Sequence, residues 1–388
     1  MPEARPAERG PEARPAAARR HAVFHPLRVA AVDHLTDDAI AVTFDVTEEL
    51  RGEYDFVHGQ HLTVRVGVTN GSAKALDGGG GEDVRRNYSI CSAAGSGVLR
   101  IGVKRLPGGA FSEWAQDHLV PGAVLDVMTP TGRFFTHLER SQAKHYALLA
   151  AGSGITPILS IAATVLEHEP GSTVTLLYGN RTTSSIMFLE ELEDLKNRYP
   201  ARFALFHVLS REAAEAELLH GRIDGAKLGV FLDHLLPVDT VDEWFLCGPY
   251  EMVETARKVL TEHGAEAGRI HVELFHVEGE PVRTIPTGPV TSDAADACSV
   301  TVLLDGRSTT FDLSATAEPI LEAALRVRGD APFACKSGVC GTCRAKLLEG
   351  SVRMDQNYAL EDDELADSYV LTCQSHPTAD RVVLDYDA

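Results

Sequence analysis

The chain has no run of eighteen or more apolar residues in its 388 positions, so no segment predicts a membrane-spanning helix. Its first twenty residues, MPEARPAERGPEARPAAARR, lack the apolar stretch of a secretory signal. Basic charge is scarce. The 36 Lys and Arg stand against 56 Asp and Glu, a formal net charge of −20. That deficit argues against nucleic acid as a partner and favours basic protein surfaces. Cysteine is sparse, and its seven copies make an odd number. An odd count without a secretory signal fits a reducing, cytoplasmic setting better than a disulfide framework. Sixteen histidines are scattered and form no metal-binding pair. What remains, 44% hydrophobic and 24% charged, is an ordinary globular composition, long enough for two or three domains.

The most informative stretch present is ACKSGVCGTC, residues 334–343. It places Cys335, Cys340 and Cys343 in a C-x4-C-x2-C run, and Cys373 follows in VLTCQSHP. Four thiolates so spaced match the ligand pattern of a plant-type [2Fe–2S] cluster. Gly338 and Gly341 let the backbone approach an inorganic core and aim N–H groups at its sulfides. Ser337 and Thr342 are small enough for the same purpose. A structural zinc site is the alternative. Zinc usually takes two short cysteine knuckles, whereas here one loop carries three cysteines and no second knuckle follows. A cluster of this kind passes one electron at a time, so the rest of the chain should supply electrons to it.

The organisation upstream fits that demand. Residues 1–21 repeat PEARPA and predict a disordered tail. A transit peptide is the alternative, and Glu3, Glu8 and Glu12 count against it. Residues 22–140 carry the runs HPLRVAAVDHL, AIAVTFDV, QHLTVRVGV, YSICSA, VLRIGVKRL and AVLDVMTP, split by turn residues. They predict an antiparallel barrel or sandwich, with the Gly-rich residues 69–83 as a flexible loop. Residues 141–275 alternate apolar strands with amphipathic helices, including one expected over 184–199, and predict a parallel α/β sheet. Thr156 is expected to cap the helix after HYALLAA. Residues 276–297 read as an extended linker. Residues 298–388 open with a hairpin turning at Asp305-Gly306 and end past the cluster loop. The acidic run ALEDDELADSY reads equally well as a solvated helix face or as a docking surface for a redox partner.

Two motif pairs complete the pattern. Arg86-Asn87-Tyr88-Ser89, followed by KRLPGGAFSEW, resembles the R-x-Y-[ST] region of the ferredoxin–NADP reductase superfamily. Gly152-Ser153-Gly154-Ile155-Thr156-Pro157 resembles that superfamily's G-x-G-x-x-P, and Cys247-Gly248-Pro249 its second nicotinamide motif. The resemblance implies roles. Arg86 would pair with the flavin pyrophosphate, Tyr88 would pack on the flavin, and Ser89 would hydrogen-bond near its N5. Gly109, Ala110, Phe111 and Ser112 would make the second phosphate contact, with Val103 and Lys104 on the strand before them. Ser89 and Thr156 would give polar support, and Cys247 would sit near the reacting nicotinamide carbon. The strand tips Asn180-Arg181-Thr182 and Ser210-Arg211 lack the acid that NAD sites offer to a ribose diol, although Glu212 follows. Arginine suits a 2′-phosphate, so Arg181, Ser210 and Arg211 point to NADPH over NADH.

Together these blocks resemble oxygenase reductases that fuse three domains. The expected fold is an antiparallel β-barrel flavin domain, an α/β parallel-sheet nicotinamide domain and an α+β β-grasp ferredoxin domain. The C-terminal run from Cys340 to Ser375 narrows the resemblance to the reductase components of phenylacetyl-CoA epoxidases. Electrons would then run from NADPH to FAD, to the [2Fe–2S] cluster, to an oxygenase component. A ring hydroxylase, a desaturase or a hybrid-cluster protein is an alternative acceptor. A non-catalytic ferredoxin-like or zinc-binding adaptor is the alternative of another class.

Overall fold

The computed structural model describes residues 23–69, 72–74, 82–213, 216–275, 285–287, 298–314 and 318–388. The N-terminal tail, most of the Gly-rich stretch and most of residues 276–297 lie outside these.

The first body is built from β1 (Phe24–Thr36), β2 (Ala39–Asp45), β3 (His61–Thr69), β4 (Ser72–Lys74), β5 (Glu82–Ser89), β6 (Leu99–Lys104), helix α1 (Ala110–His118) and β7 (Val124–Met128). The sheet runs β4-β3-β7-β1-β2-β6, with β5 also on β3. All its pairings are antiparallel. A bridge from Ile90 to Ile101 brings the end of β5 against β6 and closes the barrel. Inward positions Leu27, Val29, Ile40, Val42, Leu62, Val64, Ile101 and Val127 fill it. The strand expected at YSICSA lies earlier, because β5 pairs along β3 from His61–Ser89 to Val68–Glu82. Its place is set by that partner rather than by the apolar residues that follow it.

The second body contains β8 (His145–Ala151), α2 (Ile155–His168), β9 (Thr173–Asn180), α3 (Leu189–Arg198), β10 (Phe203–Leu209), α4 (Gly225–His234), β11 (Glu243–Gly248), α5 (Tyr250–Glu262) and β12 (Ile270–Leu274). Five parallel strands take the order β10-β9-β8-β11-β12. The central strands β8 and β11 are the most apolar, as burial on both faces demands. Two expectations are corrected here. Thr156 does not cap α2. The helix rises straight out of a tight turn at 152–154, so Gly154 holds the cap position, and the buried Thr156 hydroxyl donates to the Ser153 carbonyl at 3.0 Å. The next helix begins at Leu189 rather than at residue 184. Phe188, buried, takes a left-handed φ of 60°, which breaks the helical path before it.

The third body contains β13 (Ile285–Thr287), β14 (Cys298–Leu304), β15 (Arg307–Leu313), α6 (Ile320–Val327), β16 (Arg344–Glu349), β17 (Val352–Met354), α7 (Asp362–Ala366), β18 (Tyr369–Leu371), β19 (Ser375–Pro377) and β20 (Arg381–Asp385). The main sheet is β15-β14-β20-β16-β18, with β14 parallel to β20. Its apolar face packs on α6 through Val300, Val302, Ile320, Ala324, Val382 and Leu384, a β-grasp arrangement. The hairpin turn has Asp305 and Gly306 at φ of 54° and 66°, the left-handed pair such tight turns need. Strand β13 pairs with β17, so three residues inside the expected linker are part of this body.

Candidate functional site

The three bodies meet around one cleft of about 2240 Å³. From the barrel, Arg86, Tyr88, Ser89, Lys104 and Gly109 line it. Arg86 is exposed, and its guanidinium donates to the Arg85 carbonyl at 2.8 Å. The Tyr88 ring leans on Phe111, with centroids 5.3 Å apart, and desolvation pushes its phenol above the usual range. Lys104 pairs with Asp38 at 3.5 Å, while neighbouring Val103 points into the barrel core. Gly109 stands at the start of α1. Ala110, Phe111 and Ser112 follow it without lining the cleft. The Ser112 hydroxyl accepts from the Leu106 amide (3.1 Å) and donates to the Gly109 carbonyl (3.3 Å), which fixes the turn.

From the second body, Ser153 and Thr156 reach the cleft, while Gly152 and Gly154 sit behind them. A Cβ on Gly154 would lie 2.3 Å from the Cys247 carbonyl oxygen. Only glycine lets the turn after β8 press against β11, so the two nicotinamide-type motifs touch there. Cys247 is fully buried, between Ala150 and Glu273, and burial pushes its thiol well above the usual range. Neither it nor Gly248 and Pro249 lines the cleft. Arg181, Ser210 and Arg211 stand at the carboxyl ends of β9 and β10, away from the cleft lining. The Arg211 amide donates to the Arg181 carbonyl at 2.8 Å. Glu212 turns its carboxylate onto Thr183, accepting from the amide at 2.7 Å and the hydroxyl at 2.9 Å, and is held below its usual range.

One residue that sequence reasoning misses is Glu273 on β12. It lines the cleft and accepts a hydrogen bond from the Ser89 hydroxyl at 3.0 Å, joining barrel to sheet. Burial pushes its carboxyl up to about 8. The only signal available is a lone acid inside the apolar run IHVELF. The folded chain keeps this proton between pH 4.5 and 8, where the unfolded chain loses it. Stability should therefore fall as pH rises through that window, by up to ~1.4 kcal/mol per unit. Glu273→Gln removes the titration. In melts of cofactor-free protein, the wild type should lose Tm relative to the variant from pH 5 to 8 and run parallel above. A Tm difference independent of pH would refute the raised carboxyl.

The cluster loop closes the third side. Cys335 and Cys340 line the cleft, and Cys343 and Cys373 lie buried behind them. The thiols face each other as two pairs, Cys335 with Cys340 and Cys343 with Cys373. Backbone N–H groups of Ser337 and Thr342 point at Cys335 Sγ (3.4 Å) and Cys340 Sγ (3.5 Å). Gly338 has φ of +75°, and a Cβ there would crowd the Gln356 carbonyl at 3.2 Å. Two pairs of thiols suit two irons. The acidic run places Glu361 and Asp363 outward, but Glu364 is buried and engages Arg133 and Arg344.

The barrel with its Arg-Tyr-Ser strand, the parallel sheet and the paired thiols define an FAD-dependent NAD(P)H oxidoreductase fused to a [2Fe–2S] ferredoxin. Three family descriptions match in that order. They are "Oxidoreductase FAD-binding domain" over residues 26–136, "Oxidoreductase NAD-binding domain" over 148–258 and "2Fe-2S iron-sulfur cluster binding domain" over 302–378. The chain is 43% identical over 365 residues to one of the subunits of the 1,2-phenylacetyl-CoA epoxidase of Escherichia coli (strain K12), covering 94% of this chain and 98% of that one. It is 32% identical to the ferredoxin reductase component of 3-ketosteroid-9-alpha-monooxygenase of Rhodococcus rhodochrous, with 93% and 96% covered. Phthalate dioxygenase reductase, whose modular structure transfers electrons from pyridine nucleotides to [2Fe-2S], shares the fold at a TM-score of 0.54, with 24% identity and 93% and 98% covered. The chain belongs to the family of three-domain oxygenase reductases that includes this phenylacetyl-CoA epoxidase component.

Proposed function

We propose that this chain is the NADPH-dependent reductase component of a multicomponent phenylacetyl-CoA epoxidase in phenylacetate degradation, and that it works in the cytoplasm. The observation that carries the electron path is the single cleft lined by Tyr88 and Ser89, by Ser153 and Thr156, and by Cys335 and Cys340. The 43% identity along nearly the whole chain supports this choice of acceptor. Bound FAD takes electrons in pairs from a nicotinamide and releases them singly, and the cluster carries them one at a time.

The chain's residues bind and orient. Arg86 offers a guanidinium to the pyrophosphate, beside the open N-terminus of α1 at Gly109. Tyr88 walls the flavin. Ser89 directs its hydroxyl proton to Glu273, so the buried carboxyl and hydroxyl hold each other at the junction of flavin and nicotinamide. The Thr156 methyl fills the space beside Gly102, where a Cβ would come within 2.6 Å of it. Cys247 braces the sheet behind Glu273. A dinucleotide laid across the carboxyl ends would run from β11 and β12 to β9 and β10. Its adenosine end then meets Arg181, Ser210 and Arg211, and Glu212 is already engaged by Thr183.

Two measurements test this reading. Purified chain mixed with the epoxidase's oxygenase component should couple NADPH oxidation to turnover of phenylacetyl-CoA. Failure there, with turnover of another oxygenase, would reassign the acceptor. Arg211→Ala should raise the KM for NADPH by roughly 10- to 150-fold, through loss of a charge-assisted contact worth ~1.5–3 kcal/mol, and leave the KM for NADH nearly unchanged. Equal effects on both nucleotides would refute the 2′-phosphate role.

A further inference from the structure

The ferredoxin body touches the barrel on both flanks of its cluster loop. On one flank the Arg85 guanidinium lies 3.8 Å over the Phe333 ring and donates to the Phe333 carbonyl at 3.4 Å. Phe333 stands two residues before Cys335. On the other flank Glu364 of α7 accepts from Arg133, in the barrel's last loop, and from Arg344, the residue after Cys343. The Glu364 side chain is 10% exposed, that of Arg344 16%, and that of Arg133 57%. One buried carboxylate thus lies between two guanidiniums from different bodies. Without it the two cations face each other across the junction.

Resting on the electron path proposed above, we propose that Glu364 is a positioning residue for internal electron transfer. Its carboxylate ties Arg133 of the barrel to Arg344 beside Cys343 and so holds the Cys335–Cys340 edge of the loop at the mouth of the flavin cleft. Arg85 on Phe333 stops the loop from pivoting about that tie. The fold of the ferredoxin body does not require the Arg133 contact, since its core is closed by its own strands and α6. The tie serves orientation between bodies. Its outer half is exposed, so salt should weaken it, because charges at that surface are screened within about 8 Å at physiological ionic strength and about 3 Å at 1 M.

The test uses the full chain with its cofactors in two variants, Glu364→Gln and Arg133→Ala. In anaerobic stopped flow, flavin reduction by NADPH in Glu364→Gln should stay within about twofold of wild type, while cluster reduction, followed by its own visible bands, slows at least ~10-fold, about 1.4 kcal/mol. Arg133→Lys should recover part of the loss. Small-angle scattering supplies a readout apart from turnover: both variants in low salt, and the wild type in 1 M salt, should show a larger radius of gyration than wild type in low salt. If Glu364→Gln fails to hold its cluster, Arg133→Ala, which removes nothing from the ferredoxin core, decides. Cluster reduction at the wild-type rate in Arg133→Ala, or scattering curves that superimpose, would overturn the proposal. A wild type that lacks FAD, or whose cluster NADPH never reduces, overturns the electron path itself, which is a different failure.

Discussion

Cys340→Ser should yield a yellow protein that retains FAD, loses the cluster's visible bands and its two irons, and no longer drives an oxygenase. The loss should be complete rather than graded. Cys340 faces Cys335 as one of two thiol pairs, and its Sγ receives the Thr342 amide. Serine would offer that iron only a hydroxyl, a poorer ligand than the soft thiolate it replaces, so the site should no longer retain the cluster. The residues proposed to hold the flavin lie on β5, β6 and the turn before α1, outside the ferredoxin body, so NADPH should still reduce ferricyanide through FAD at close to the wild-type rate. Cluster bands that survive the substitution, or one zinc per chain in the wild type, would overthrow the ligand assignment.

Arg86→Ala should weaken FAD binding by roughly 10- to 150-fold, the equivalent of ~1.5–3 kcal/mol for a hydrogen-bonded charge. Arg86 is exposed in the cleft, and its guanidinium is steadied by the Arg85 carbonyl. It is therefore pre-oriented and free to meet a phosphate in a two-pronged contact. Arg86→Lys should restore only part of the affinity, because an ammonium cannot make that fork. Fluorescence of FAD released on dilution reads the change directly. An unchanged dissociation constant in Arg86→Ala would move the pyrophosphate elsewhere in the cleft.

The residues legible in the sequence are those whose chemistry constrains their spacing. Three thiols on one loop, an Arg and a Tyr one residue apart on a strand, and a glycine turn after a continuous apolar run each carry a local demand. Glu273 is not legible, because what makes it part of the site is Ser89, 184 residues away. Arg85 and Arg86 look alike in sequence. Strand alternation sends one to the cleft and the other under Phe333, and only the packed ferredoxin body shows why. The run ALEDDELADSY reads in sequence as an outward face. Helical rotation turns Glu364 inward to two arginines that sequence distance hides. The late start of α3 escapes for a similar reason: the burial of Phe188 in the second body's core overrides a good helical pattern.

Strand β13 limits how far the cluster can travel. Because Ile285–Thr287 is zipped to β17, the covalent tether between the second and third bodies is only the ten residues from 275 to 284, between the end of β12 and the start of β13. At ~3.3–3.6 Å per residue, that leash spans at most about 35 Å. Even with its ionic contacts released, the start of β13 stays within that reach of the end of β12, which keeps the ferredoxin body at an effective concentration on the order of millimolar beside the nicotinamide sheet. An oxygenase that collects electrons must bring its own acceptor to that tethered body.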